Sequence, residues 1–334
     1  MPIYILGIES SCDDTSASVL CDGKVLSNVI ANQKVHENYG GVVPELASRA
    51  HQQNIIPVVE QAISIANIDK KELNAVAYTR GPGLMGSLLV GASFSKSISL
   101  GLGIPLIEVN HMQAHLLAHF IEDCNDKKPE FPFIGVTISG GHTQIVLVKD
   151  YFDMKIIGET LDDAIGETFD KCGKMIGLSY PAGPEIDKRS NLGDSKKFLF
   201  TKPKVNGLNF SFSGLKTGFM RFVEKEKSKE SNFVQKELNN LCASIQNIIT
   251  EILVDKVVKA ADQTRISRVV FGGGVSCNSN IQRVFQSQKD LKSFFPKFEY
   301  TTDNGAMIAM VGYLKYLKKD FSNLENGVKS RFKF

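Results

Sequence analysis

Two histidines four residues apart are the clearest candidates for chemistry in this sequence. His111 and His115 stand in the segment His-Met-Gln-Ala-His, which follows an apolar stretch and is expected to begin a helix. Because positions i and i+4 lie on one face of a helix, both imidazoles can reach one metal ion. His119 adds position i+8, which would equally suit a merely histidine-rich face. A metal site needs a further ligand, and spacing alone does not select it.

Asp303 is a candidate for the third ligand, with an equally good structural explanation. It stands directly before the last predicted helix, where its carboxylate could instead cap the helix N-terminus. A metalloprotease is disfavoured, because the histidine pair lacks the glutamate that acts as general base in H-E-x-x-H.

Three predicted turns that end apolar strands are built from small residues: Gly7–Ser11, Ser139–Thr143 and Gly272–Ser276. Glycine lets the backbone approach a ligand closely. Successive N–H groups can then converge on an anion, and Ser or Thr hydroxyls add donors. Together the three turns predict a shared phosphate or nucleotide cleft.

A fourth glycine turn matches the dinucleotide fingerprint G-x-G-x-x-G. It runs over Gly81–Gly86 after a predicted strand, and Glu108 follows about twenty residues later. A Rossmann oxidoreductase is therefore an alternative. However, a hairpin and a helix precede this turn, and Pro82 removes an N–H from it. A glycine turn packed closely against its neighbours is the preferred interpretation.

The elements that would position these residues form a repeated pattern. A hairpin is predicted from strands Tyr4–Glu9, Ala17–Leu20 and Val25–Ile30, and the pattern returns about 130 residues later with strands Phe133–Ile138 and Gln144–Val148. Such a repeat predicts two similar lobes. The other predicted elements are helix Pro44–Ala66, strand Ala75–Thr79, a helix to Leu100, strand Pro105–Val109, a helical region Gly158–Gly177, helix Gln235–Gln263, strand Arg268–Phe271 and helix Asn304–Lys319.

This alternation of strands and helices is typical of α/β proteins. The last helix is expected to cross back to the first lobe. We therefore expect one lobe of residues 1–110 and 305–334, which would carry the partner-binding helices. The other lobe, residues 111–304, would carry the metal and nucleotide site.

Composition excludes some classes of protein and leaves others open. The 334 residues carry a net charge of only +3, and no apolar run reaches the ~20 residues that span a bilayer. The cysteines are far apart, with no C-x-x-C pair, which fits a reducing, cytoplasmic compartment. Nine lysines and arginines lie in the segment from Ser195 to Lys229. They could contact a nucleic-acid backbone, or they could simply form a solvated helix and loop.

The motifs together resemble a known family, the tRNA N6-adenosine threonylcarbamoyltransferases of the bacterial TsaD type, formerly called O-sialoglycoprotein endopeptidases. The resemblance covers nearly the whole chain in order. The matching segments are Gly7–Asp13, Gly40–Arg49, Gly81–Leu84, His111–His115, Ser139–Thr143, Phe210–Lys216 and Thr302–Met307.

The resemblance implies a two-lobed actin/hsp70/hexokinase-like (ASKHA) duplicated fold with an interlobe nucleotide cleft. It implies transfer of the threonylcarbamoyl group from threonylcarbamoyl-AMP to N6 of adenosine 37 in tRNAs that read ANN codons, with release of AMP. The implied partners are the tRNA anticodon loop, a smaller paralogous TsaB-type subunit that forms a heterodimer, and a TsaE-type ATPase subunit. A small-molecule kinase of the same fold is the alternative.

The resemblance also implies the residues of the site. His111, His115 and Asp303 would bind one divalent ion, Fe2+ or Zn2+, whereas His119 is not a usual ligand position. Asp13 is our candidate for helping to remove the N6 proton; Asp14 beside it stands where the family usually has Glu. The implied contacts to the adenylate are Thr137, Ile138, Ser139, Gly140, Gly141, Asp170, Gly183, Asp187 and Asn278.

Overall fold

The computed structural model describes residues 1–33, 36, 39–122 and 128–334. In chain order its strands and helices are β1 (Tyr4–Glu9), β2 (Thr15–Cys21), β3 (Lys24–Ala31), α1 (Pro44–Ala66), β4 (Ala75–Gly81), α2 (Met85–Leu102), β5 (Leu106–Asn110), α3 (His111–Leu117), β6 (Phe133–Ile138), β7 (Thr143–Asp150), β8 (Asp153–Glu159), α4 (Ile165–Met175), α5 (Gly183–Ser190), α6 (Ser213–Lys229), α7 (Phe233–Thr264), β9 (Arg268–Gly272), α8 (Ser279–Gln286), β10 (Lys292–Phe294) and α9 (Gly305–Leu317). Short 3-10 helices occupy Lys70–Glu72, Ala118–Phe120, Gly274–Cys277 and Phe298–Tyr300.

The chain divides into two compact units. Unit 1 comprises Met1–Pro129 and Pro296–Phe334, and unit 2 comprises Glu130–Phe295. These boundaries differ from the expected lobes, because residues 111–129 and 296–304 belong to unit 1. Helix α3 continues directly from β5, the edge strand of the first sheet, and packs against α9. This packing keeps both histidines and Asp303 in unit 1.

Unit 1 is built on a five-stranded sheet in the order β3-β2-β1-β4-β5. The first three strands are antiparallel, and β4 and β5 run parallel to β1. The central strands are almost wholly buried, as expected of apolar strands with both faces covered. Helix α9 crosses β1 so closely that a Cβ on Gly7 would lie 2.8 Å from Ala309 Cα. Gly7, the first residue of the predicted turn Gly7–Ser11, is therefore required by the packing of α9.

Unit 2 repeats this sheet. Its order, β10-β9-β6-β7-β8, is that of unit 1 with β6 in the place of β1. Again β6, β7 and β8 are antiparallel, whereas β9 and β10 run parallel to β6. The predicted duplication is thus confirmed. The core of this unit is rich in phenylalanine, including Phe169, Phe210, Phe212, Phe219, Phe271 and Phe285.

Several local predictions need correction. The region Gly158–Gly177, predicted to be helical, begins in strand β8, and α4 starts only at Ile165. Strand β8 is only half-buried and depends on pairing with β7, so its own sequence pattern is weak. Helix α5 and strand β10, which has three residues, were not predicted. Local sequence carries little information about elements this short.

Two observations bear on the predictions from composition. In the described part of the chain no helix is long and apolar enough to cross a membrane. Five cysteines are free thiols, namely Cys12, Cys21, Cys172, Cys242 and Cys277, while Cys124 lies outside the described residues.

Candidate metal centre and glycine turns

The two histidines lie on the first turns of α3. This helix begins at His111, and the Asn110 side chain caps it by accepting from the N–H groups of Met112 and Gln113. The whole helix is buried. The rings of His111 and His115 lie edge to face, with centroids 4.7 Å apart. Helical spacing therefore brings both imidazoles to one point, as predicted.

Asp303 reaches the same point from the N-terminal side of α9. Its Oδ1 lies 3.3 Å from His111 Nε2 and 3.2 Å from His115 Nε2. One ligand atom from each of the three residues falls within 4.8 Å of the others. The helix cap belongs to the next residue, because the Asn304 side chain accepts from Met307 N. The structure thus gives the helix cap to Asn304 and leaves the Asp303 carboxylate beside the two histidines.

The donor set fits a transition-metal ion. His115 is buried, and among the described residues neither of its ring nitrogens makes a hydrogen bond, although Nε2 lies 3.2 Å from a carboxylate oxygen. Buried polar atoms without partners are costly. Two imidazoles and one carboxylate are ligands typical of Zn2+ and non-haem Fe2+. These three residues could hold such an ion, with positions left open for a substrate.

Glu9 is a functional candidate that the sequence analysis did not identify. It is fully buried at the end of β1, and its Oε2 lies 3.0 Å from His111 Nδ1. The same oxygen accepts from Thr79 Oγ1 at 2.6 Å, while Ser11 N donates to Oε1. A carboxylate inside an apolar, central strand was the available signal, because such groups are rarely buried without a partner.

Burial and neighbouring charges both shift the pKa values of the triad. Burial alone would lower the pKa of His111, but the carboxylates of Asp303 and Glu9 raise it well above its ordinary value. Burial opposes ionisation of Asp303, yet the imidazoles, His111 foremost, hold its pKa below the usual range. Burial lowers the pKa of His115. The site therefore favours a positive charge between its two carboxylates.

A loop that follows β1 carries Asp13 and Asp14 beside the triad. His51 Nε2 and Ser87 Oγ each lie 3.0 Å from the Cys12 carbonyl oxygen, which both can reach as donors. Burial, with the charges of Asp13, Asp303 and Glu9, raises the pKa of Asp14 to about 8. The loop is held firmly, and it contains a carboxyl group that retains a proton near neutral pH.

The glycine turn that matches a dinucleotide fingerprint is filled by the protein itself. A Cβ on Gly81 would collide with the Lys329 carbonyl oxygen, and one on Gly83 would lie 2.8 Å from Ser11 Cβ. The Leu84 N–H donates to the Ser11 carbonyl at 2.7 Å. These contacts leave no room for a pyrophosphate at the turn. They favour the packed-turn interpretation over NAD binding.

In unit 2 the turn Ser139–Thr143 is different. The Ser139 N–H donates to the His142 carbonyl at 2.9 Å, which closes a tight turn. Gly140 and Gly141 are exposed, and a Cβ on either would have no neighbour within 4 Å. At its start, the buried Thr137 Oγ1 makes no hydrogen bond to the described residues. This turn has the open space that a ligand requires.

The third predicted turn, Gly272–Ser276, is partly closed, because a Cβ on Gly273 would lie 2.5 Å from the Ile138 carbonyl oxygen. By contrast, a Cβ on either glycine of the turn Ser139–Thr143 would meet nothing within 4 Å.

The remaining predicted contacts to the adenylate lie on or beside helices α4, α5 and α8 of unit 2. Helix α4 begins against the open turn, since Gly166 N donates to the Ser139 carbonyl at 3.2 Å. Asp170 Oδ1 on α4 accepts from Ala182 N at 2.7 Å, next to Gly183, the first residue of α5. This series of hydrogen bonds links the turn to two helix N-termini.

A third helix joins the same group. Asp187 on α5 accepts from Ser279 N at 3.0 Å and from Ser279 Oγ at 2.9 Å. Asn278 caps α8 by accepting from Ile281 N. Asp170, Asp187 and Asn278 therefore each also have a structural hydrogen bond, and these bonds connect α4, α5 and α8 within unit 2.

A family model described as TsaD, tRNA N6-adenosine threonylcarbamoyltransferase, matches residues 24–310. This chain belongs to the TsaD family. The tRNA N6-adenosine threonylcarbamoyltransferase of Christiangramia forsetii is 62% identical over 99% of this chain and 98% of its own length. The enzyme of the same name from Riemerella anatipestifer is 57% identical over 98% of this chain and 97% of its own length. TsaD membership makes the chain a transferase and disfavours the small-molecule kinase.

Solved structures with low sequence identity agree with the TsaD assignment at the level of the fold. HypF from T. kodakarensis matches with a TM-score of 0.63 at 14% identity, over 96% of this chain and 49% of that protein. Component A of the Acidaminococcus fermentans (R)-2-hydroxyglutaryl-CoA dehydratase matches with a TM-score of 0.53 at 16% identity, over 94% of this chain and 99% of that protein. The predicted ASKHA-like α/β fold is thereby confirmed.

The basic stretch of this TsaD chain is partly neutralised by acidic residues of unit 2. Lys197 pairs with Glu237 and Lys216 with Asp163, each at 2.7 Å. Lys202 contacts Asp255 at 2.7 Å, and Lys229 contacts Glu226 at 2.7 Å. Four of the nine cations therefore have acidic partners.

Proposed function

We propose that this chain transfers the threonylcarbamoyl group from threonylcarbamoyl-AMP to N6 of adenosine 37 in tRNAs that read ANN codons, forming t6A and releasing AMP. The observation that carries the proposal is the convergence of His111, His115 and Asp303 in a chain of the TsaD family. These residues come from two segments almost 200 residues apart, and a helix cap does not account for the position of Asp303, because Asn304 caps α9.

The three residues of the triad would bind one divalent ion, Fe2+ or Zn2+. When bound, the ion supplies a Lewis acid that polarises an oxygen of the acyl donor. The protein's part is to fix three electron-pair donors at the end of a buried helix. Because α3 is capped by Asn110 and wholly buried, the donors need little reorganisation when the ion enters.

Unit 2 would bind the adenylate. The exposed turn at Gly140 and Gly141 allows close approach of a phosphate to backbone N–H groups, which would hold the departing AMP. The carboxylates of Asp170 and Asp187 suit ribose hydroxyls, since an ionised carboxylate accepts more than one hydrogen bond. Gly183 and Asn278 would complete the purine contacts, and Thr137, Ile138 and Ser139 would form the base of the cradle.

Proton removal from N6 is assigned to Asp13. The exocyclic amine must lose a proton as its nitrogen attacks the carbamoyl carbon, so that a nearby carboxylate assists. Asp13 is half-buried on the fixed loop after β1. An Asp13→Asn variant should lose about 100-fold or more in single-turnover rate, within the range for general base catalysis. An unchanged rate would exclude this role.

The proposed activity is tested by mass analysis of tRNA nucleosides after incubation with threonylcarbamoyl-AMP and the partner proteins. We expect t6A with the unaltered chain, and none with His115→Ala or Asp303→Asn. His119→Ala, which changes a histidine of the same segment outside the triad, should retain activity. Full t6A formation by a triad variant that contains no bound metal would contradict the proposal.

The partners also belong to the proposal: the tRNA anticodon loop, a TsaB-type subunit and a TsaE-type ATPase, in the cytoplasm. Lys204 is a sharper probe of tRNA contact than Lys202, whose charge is already paired with Asp255. Neutralising a lysine that contacts a phosphate reduces the salt dependence of binding by about one ion. We expect this change for Lys204→Ala and a smaller one for Lys202→Ala. If both variants show the same salt dependence of tRNA binding as the unaltered chain, these lysines do not contact the tRNA.

A further inference from the structure

Glu9 is a fully buried carboxylate that the proposed reaction does not use. We propose that it is a positioning residue, which orients the His111 ring and fixes Nε2 as the atom that binds the metal ion. This inference rests on the proposed metal site. Glu9 belongs to β1, whose other residues are apolar or glycine, so nothing in its own strand requires a charge.

The hydrogen-bond chemistry determines which nitrogen of His111 carries the proton. An ionised carboxylate can only accept hydrogen bonds. Because Glu9 Oε2 lies 3.0 Å from His111 Nδ1, that nitrogen must be the donor, and the Ser11 hydroxyl oxygen, 3.2 Å from the same nitrogen, can accept from it as well. In the neutral ring the lone pair is then on Nε2, the atom 3.3 Å from Asp303 Oδ1. The contact with Glu9 therefore directs the metal-binding lone pair toward the other two members of the triad.

Glu9 is itself held in place and is not a fourth ligand. Thr79 Oγ1 donates to Oε2 at 2.6 Å, and Ser11 N donates to Oε1. Both carboxylate oxygens are thus occupied on the Nδ1 side of the imidazole, away from the convergence point at Nε2. A carboxylate, a histidine and a metal ion in this order form a common arrangement, in which the outer group fixes the ring and raises its basicity.

The second histidine lacks such support. His115 Nδ1 is buried and makes no hydrogen bond with any residue in the described ranges. The two ligands of one helix therefore differ at Nδ1, which faces a carboxylate in His111 and has no hydrogen-bond partner among the described residues in His115. An effect of Glu9 on metal binding should accordingly pass through His111.

The direct test measures zinc affinity of the full chain by competition with a chromophoric chelator. Loss of an outer-shell partner typically weakens metal binding about 10–100-fold. We expect a weakening of that size for Glu9→Gln, which keeps the volume but replaces an acceptor with an NH2 donor. The visible absorption spectrum of the Co2+-substituted chain should also change, because the ligand ring is no longer fixed. Zinc affinity within twofold of the unaltered chain, with the same Co2+ spectrum, would overturn the inference.

A purely structural role is separated by unfolding the chelator-treated chain. Glu9→Gln should unfold at a lower urea concentration, because it removes one partner of a buried charge pair with His111; if Glu9 acts through the metal, the zinc affinity of the folded chain should fall as well. A large loss of stability with unchanged zinc affinity of the folded chain would overturn the inference. Should Glu9→Gln fail to fold, Thr79→Val serves instead, since it releases one hydrogen bond from Glu9 and should weaken zinc binding to a smaller degree; unchanged zinc affinity would then count against Glu9.

Two further variants show through which histidine Glu9 affects zinc binding. Glu9→Gln should weaken zinc binding in a His115→Ala chain but have no effect in a His111→Ala chain. Equal effects in both would contradict action through His111. If the unaltered chain binds no zinc or Co2+, the metal site itself is refuted; if it binds both and Glu9→Gln binds them with the same affinity, only the role of Glu9 fails.

Discussion

The turn at Gly81–Gly86 in unit 1 and the turn at Ser139–Thr143 in unit 2 are made of similar residues, and each follows a buried strand. In the first, the space beside Gly81 and Gly83 is occupied by the backbone of Lys329 and by Ser11. In the second, nothing lies within 4 Å of a Cβ on Gly140 or Gly141. The absence of a side chain lets the protein's own backbone pack against Gly81 and Gly83. At Gly140 and Gly141 it leaves space for a ligand.

This difference matters because glycine after a buried strand is common to both turns. The first turn supports the loop that carries Ser11 and, through Glu9, the orientation of His111. Its glycines should therefore affect stability and metal binding. The glycines of the second turn should affect adenylate binding alone. Substitutions at the two turns separate these effects.

The largest effect is expected for Gly83→Ala. The added Cβ would collide with the Ser11 carbonyl and lie 2.8 Å from Ser11 Cβ, neither of which can move without displacing the loop. Overpacking of this kind costs about 2–3 kcal/mol in the free energy of unfolding. Urea unfolding of the chelator-treated chain measures it. A loss below about 0.5 kcal/mol, the range of ordinary surface substitutions, would show that the turn is not tightly packed.

Gly141→Ala should have the opposite profile. We expect the affinity for AMP, measured by calorimetry, to fall about 10–100-fold, which corresponds to about 1.4–2.8 kcal/mol. The free energy of unfolding should change by less than about 0.5 kcal/mol. Gly218→Ala, at an exposed glycine of α6 in the same unit, is the matched control and should leave AMP binding unchanged. If the unaltered chain, Gly141→Ala and Gly218→Ala bind AMP with the same affinity, the open turn is not part of the adenylate site.

Acidic surroundings distinguish the first turn further, because the loop packed on it ends in Asp13 and Asp14. The pKa of Asp14 rises from 3.8 to about 8 in the folded chain, so the folded state binds this proton more tightly than the unfolded state. Between these pH values the free energy of unfolding should therefore fall as the pH rises, by at most about 1.4 kcal/mol per pH unit.

Asp14→Asn tests this dependence in the chelator-treated chain. The variant should show a flatter dependence of the unfolding free energy on pH between about 5 and 8, because the asparagine amide does not titrate. Parallel curves for the two chains would show that Asp14 keeps an ordinary carboxyl in the folded state. The corresponding turn of unit 2 provides the contrast, since Gly140→Ala should leave the dependence on pH unchanged.

The smallest effect is expected at a glycine that serves neither purpose. Gly101 is exposed near the end of α2, and a Cβ there would meet nothing within 4 Å. Since alanine is the better helix former, Gly101→Ala should raise the free energy of unfolding by about 0.5–1 kcal/mol. A decrease in thermal or urea stability would mean that the distances to an added Cβ do not tell a replaceable glycine from one that packing requires.

Sequence by itself determined the duplicated α/β architecture and the histidine pair. The strand periodicity of Tyr4–Glu9 and Phe133–Ile138 is a local property, and both strands appear with the predicted bounds. The i and i+4 spacing of His111 and His115 is equally local, because a single helix turn enforces it. Strand β8 and the short elements α5 and β10 were missed, since pairing and packing stabilise them more than their own residues do.

Only the tertiary structure decided the rest. It brought Asp303 to the histidines and gave the helix cap to Asn304. It also placed Glu9 behind His111, and it filled one glycine turn while leaving another open. The physical reason is the same in each case. Sequence specifies which groups a segment offers, whereas the packing of distant segments decides which groups meet and how much space remains between them.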